Sequence, residues 1–99
     1  MKVTREVYEI KGEDLASSIK HENEEGSILI YIRNLHTISK EIEEIHKDNL
    51  LFLIISHDEN AVYIMATYNP EGFFLPPPIY QINYSDICSC KIEFVRLGG

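Results

Sequence analysis

The residues most able to do chemistry in this sequence are four histidines, two cysteines, seven serines and a surplus of carboxylates. His36 and His46 stand ten residues apart on one predicted helix. That is about 15 Å along its axis, too far to share a metal ion within it. His21 stands alone. His57-Asp58-Glu59 offers three ligand types in a predicted hairpin loop, but a divalent site needs ligands of fixed geometry from several elements. A solvated turn is expected there. Cys88-Ser89-Cys90 lacks the two-residue gap of zinc knuckles and redox motifs. A disulfide across one residue closes only a small strained ring. Both thiols are expected to be reduced and buried in the core of a cytoplasmic protein. The serines lie in no nucleophile elbow, and no glycine-rich phosphate loop is present. The adjacent acids Glu24-Glu25, Glu43-Glu44 and Asp58-Glu59 sit in solvated runs, which suits them poorly to acid–base work. No catalytic residue, metal or cofactor is expected, and the chain reads as a non-enzyme.

Two stretches suit binding better than catalysis. In residues 13–25, Glu13, Asp14, Glu22, Glu24 and Glu25 oppose only Lys20. Glu41, Glu43, Glu44 and Asp48 follow on a second predicted helix. If both helices lie on one side of a sheet, these charges form one field that speeds encounter with a basic partner. The second stretch is aromatic: Tyr68, Phe73, Phe74, Tyr80 and Tyr84 surround Pro76-Pro77-Pro78. Proline stiffening lowers the ordering cost of a contact loop, and aromatic rings are enriched at interface hot spots. The partner-binding residues expected on these grounds are Glu22, Glu24, Glu25, Glu41, Glu44, Phe73, Phe74 and Tyr80.

The chain ends Arg96-Leu97-Gly98-Gly99. This resembles the tail of ubiquitin-like modifiers and sulfur-carrier proteins. The resemblance implies a terminal glycine carboxylate that is adenylated and then thioesterified or thiocarboxylated. It covers four residues, and the element order expected for the rest of the chain differs from the β-grasp of that family.

The supporting elements follow from hydropathy. Residues 2–10 are β-branched and aromatic with imperfect alternation, which predicts an edge or bulged strand. Residues 13–24 set Leu15, Ala16 and Ile19 on one helical stripe, with Gly26 as the stop. Residues 28–33 and 50–55 are apolar on both faces and read as interior strands. Between them, Leu35, Ile38, Ile42 and Ile45 recur at spacings of 3, 4 and 3, which predicts a helix over 35–48. A helical crossover would make the flanking strands parallel. A hairpin at 56–60 leads to a strand at 61–68, an irregular loop at 69–78, a short strand at 79–84 and an alternating strand at 88–96. The expected fold is a single α+β domain over 1–99. It has a mixed five- to six-stranded sheet with two helices packed on it, in the order β-α-β-α-β-β-(β)-β.

Composition narrows the partner. The 99 residues include 9 basic and 16 acidic side chains, for a net charge of −7. Phosphate backbones need clustered cations, so direct nucleic-acid binding is disfavoured, as is an anionic membrane surface. The longest apolar run, Leu50 to Ile55, is far short of the roughly 20 residues of a membrane helix. Residues 1–20 hold no apolar core of a secretory signal. The expected function is a small acidic binding protein that docks on and blocks a macromolecular partner with a basic surface, of the immunity or phage anti-defence inhibitor type. The alternatives are a small-molecule binder with an aromatic pocket, within one chain or at a homodimer interface, and the modifier or carrier implied by the tail.

Overall fold

The computed structural model describes residues 2–40, 51–67 and 77–98. Among these residues six strands form one antiparallel sheet, and one helix packs on it. The elements are β1 (Lys2–Lys11), α1 (Gly12–Glu24), β2 (Leu29–Thr37), β3 (Phe52–His57), β4 (Ala61–Ala66), β5 (Ile79–Asn83) and β6 (Ile87–Gly98), with a 3-10 turn at Tyr84–Asp86 before β6. The order across the sheet is β1-β6-β2-β3-β4-β5. The last strand is therefore inserted between the first two.

α1 forms where it was expected. Leu15, Ile19 and Glu22 turn inward at helical spacing, and Glu13 and Asp14 occupy the first turn, where they oppose the helix dipole. The helix ends in a Schellman arrangement: Ser27 N donates to Glu22 O and Gly26 N to Asn23 O. Gly26 takes φ 85°, the left-handed conformation this closure needs. At the other end Gly12 lies so close to β6 that a Cβ there would collide with the Ile87 carbonyl oxygen.

The expected second helix is corrected over its first turn. Leu35, His36 and Thr37 belong to β2; residues 41–48 lie outside the described residues. The cause is a bulge. Asn34 adopts φ 52°, and the register of β2 on β6 shifts between Arg33 and His36. Ile30 and Ile32 face the core before the bulge, and Leu35 and Thr37 face it after, one residue out of phase. β2 and β3 are antiparallel, with Tyr31 opposite Leu53 and Ile32 opposite Phe52, which corrects the parallel pairing expected from a helical crossover. Among the described residues the sheet is antiparallel, not mixed.

α1 covers one face of the sheet. Its Leu15 and Ile19 pack with Ile30, Ile32, Phe52, Val62, Ile64, Ile82, Cys90, Ile92 and Phe94. The opposite face carries Val3, Arg5 and Val7 of β1, Leu29, Tyr31 and Arg33 of β2, and Glu93, Val95 and Leu97 of β6, by register. β1 is an edge strand, as expected, and runs ten residues against β6 without a bulge. Cys90 is buried but Cys88 is exposed, so the expectation of two buried thiols is corrected. β1 stops at Lys11 opposite Ser89, leaving Cys88 beyond its cover.

Candidate functional site

Among the described residues β2 and β3 pair only at Tyr31–Leu53 and Ile32–Phe52. Beyond that short ladder they part. Ile28 N stays bonded to Val95 O of β6, which keeps β2 on its other neighbour. β3 follows β4 through a second bulge, where Ile54 faces Ile64 and Ser56 faces Tyr63, so that Ile55 is the extra residue. The splayed strands leave a cleft of about 490 Å³. Ile19 of α1 lines it together with Ile28, Leu29 and Ile30 on one side and Leu53, Ile54 and Ile55 on the other. Asn23, Ser27, Ser56 and His57 add polar groups. Ile28 and Ile55 are 53% and 44% exposed, large apolar side chains left open to solvent at the cleft.

Two polar devices fix its walls. Asn23 Nδ2 donates to His57 Nε2 at 3.1 Å, tying the end of α1 to the end of β3. Ser27 Oγ donates to Glu22 Oε2 at 2.9 Å, and Arg96 Nη2 meets the same oxygen at 2.6 Å. Arg96 Nε also reaches Ser27 Oγ at 3.3 Å, and its guanidinium lies 4.9 Å from the Phe94 ring centre. The Glu22 carboxylate bonded to it raises the Arg96 pKa further.

The turn after β3 is built by Asp58. Its Oδ1 accepts from Asn60 N and Ala61 N, and its Oδ2 from the Tyr63 hydroxyl. These donors hold the Asp58 carboxyl below its ordinary pKa, the Asn60 amide most strongly. The same bond raises the Tyr63 phenol. The His57-Asp58-Glu59 triplet is thus a structured turn. Among the described residues no group of three or more His, Cys, Asp or Glu is placed to hold a metal ion.

The residues expected to bind a partner separate. Glu22 is corrected: it is 3% exposed and its carboxylate is committed to Arg96 and Ser27. It positions the cleft wall and does not project from it. Glu24 and Glu25 are exposed and follow Asn23 directly, while Asp58 and Glu59 follow His57. The Asp58 carboxylate is committed to its own turn, and Glu59 lies beside Ala16 and Lys20 of α1, away from the cleft lining. Tyr80 is half-buried, edge-on to Phe52 with ring centres 6.2 Å apart. Glu41, Glu44, Phe73 and Phe74 lie outside the described residues, as do Tyr68 and most of the proline loop. The tail residues Arg96, Leu97 and Gly98 are strand residues of β6, with Gly98 opposite Lys2.

Sequence reasoning missed the cleft, which opens where β3 follows β4 through the bulge at Ile55 and leaves β2. It also missed Glu93. That carboxylate is 5% exposed on the face away from α1, with Arg33 Nη2 at 3.5 Å and Arg5 Nε at 3.7 Å.

Comparison with models of known families, with curated proteins and with solved structures finds no match in any of the three. Among the described residues no helix is long and apolar enough to cross a membrane.

Proposed function

We propose that this chain is a small non-enzymatic binding module that docks on a protein partner with a basic surface and blocks or regulates it. The observation that carries this reading is the apolar cleft between β2 and β3, with the exposed Glu24 and Glu25 following directly on Asn23 of its lining. An apolar floor accepts the methylene stem of a long cationic side chain, and carboxylates nearby meet its head. The net charge of −7 adds attraction at longer range.

The test is fluorescence anisotropy of a labelled peptide in which arginine alternates with leucine, titrated with the full chain. Binding is expected to weaken roughly ten-fold between about 50 and 500 mM salt. The double variant Glu24→Gln, Glu25→Gln should weaken it at low salt. Ile55→Asp adds negative charge but spoils the apolar wall, and it too should weaken binding. Tighter binding by Ile55→Asp would mean that charge alone attracts the peptide and that the cleft is not the site.

A second reading, a small-molecule binder, draws on the cleft volume of about 490 Å³, which falls within the range of ligand pockets. Of the aromatic pocket expected earlier, only Tyr80 is described. A non-covalent mass increment on the natively purified chain, lost in Ile55→Asp, would favour this second reading.

A further inference from the structure

We infer that β1 is the docking edge for a second copy of this chain, and that two copies join their sheets through antiparallel β1–β1 pairing about a two-fold axis. Among the described residues β1 pairs only with β6, so its other edge carries backbone donors and acceptors with no strand beside them. It is ten residues long, continuous in register and free of proline. The opposite edge is a poorer candidate. β5 has five residues and follows Pro77 and Pro78, which offer no N–H.

The side chains of β1 choose the register. A two-fold axis perpendicular to a sheet passes through one residue position and pairs residues that share a face. Centring it on Arg5 sets Arg5 against itself, and centring it on Glu6 sets Glu6 against itself. Centring on Tyr8 sets Arg5 against Lys11 twice. Centring on Val7 sets Arg5 opposite Glu9 twice, Glu6 opposite Tyr8, Thr4 opposite Ile10 and Val7 opposite Val7, with no like charges opposed. Registers centred closer to either end pair fewer residues. Directly opposed side chains have Cβ atoms about 5 Å apart, close enough for both Arg–Glu pairs to form.

Charge points to the same edge. β1 carries Lys2, Arg5 and Lys11 against Glu6 and Glu9, so it is the basic edge of a molecule whose net charge is −7. Two acidic copies repel least where they meet along it. Val3 and Val7, now 60% and 40% exposed, would lie along the seam on the face opposite α1.

Sedimentation equilibrium of the full chain at about 100 μM, well above a micromolar dissociation constant, should give a dimer. Glu9→Arg leaves the Arg5–Glu93 contact in place and should give a monomer, because it sets arginine against Arg5 twice. Adding Arg5→Glu to it restores opposite charges and should restore the dimer. Val7→Lys opposes two ammonium groups on the axis and should also give a monomer, with far-UV circular dichroism unchanged. A monomeric parent chain, or a dimer indifferent to both Glu9→Arg and Val7→Lys, would overturn the inference. The cleft lies across the sheet from β1, so peptide binding should survive in these variants whichever way the assembly result falls.

Discussion

Cys88 and Cys90 differ in their fates although one residue separates them. Burial pushes the Cys90 thiol up to about 12, so almost none of it is thiolate at neutral pH. Cys88 is exposed. Iodoacetamide at neutral pH should therefore add once to the native chain, at Cys88, and a second time only in denaturant, as read by peptide mass spectrometry. Asp58 supplies a second expectation. Its folded-state pKa is depressed below the ordinary 3.8. The stability it contributes is complete above that value and is lost as pH falls through the lower folded value. Asp58→Asn keeps an acceptor for the turn amides but removes the charge. The variant should melt below the parent at pH 7, and the gap should narrow as pH falls below 3.8. The donors to Asp58 all lie within five residues of it, but other partners are not written locally in the chain. The partner that draws Glu22 inward, Arg96, is 74 residues away.

Individual elements were legible where pattern and backbone agree. Helix 13–24, its glycine stop and most strands follow from apolar spacing. The failure at 35–37 has a physical source: Asn34 in left-handed conformation reverses the side-chain phase of β2, so Leu35 stays on the core face of a strand. Hydropathy carries no mark of that backbone change. The parallel pairing expected for the flanking strands rested on a helical crossover, and β2 and β3 pair antiparallel. Asn34 is the residue to test. Asn34→Gly should leave the unfolding midpoint unchanged or raise it, because glycine enters φ 52° without strain. Asn34→Val should cost about 1–2 kcal/mol, the penalty of a side chain in that region. Equal effects of the two would mean that the bulge is not held by the backbone of Asn34.

At the scale of the whole molecule, β6 is the strand on which the others depend. It pairs with β1 on one side and β2 on the other, and α1 packs against it. Ile92 and Phe94 are almost fully buried at its middle. In native-state hydrogen exchange the amides of β6 should open only with global unfolding, while those of the short edge strand β5 should exchange through local opening. The placement has a further effect on how the protein comes into being. Pairs such as Val3–Leu97 close a loop of nearly the full chain, which is an intrinsically slow event. During translation β1 leaves the ribosome long before β6, its only strand neighbour among the described residues. Docking of β1 waits for the synthesis of β6, and until then an unsatisfied strand is left exposed to misassembly.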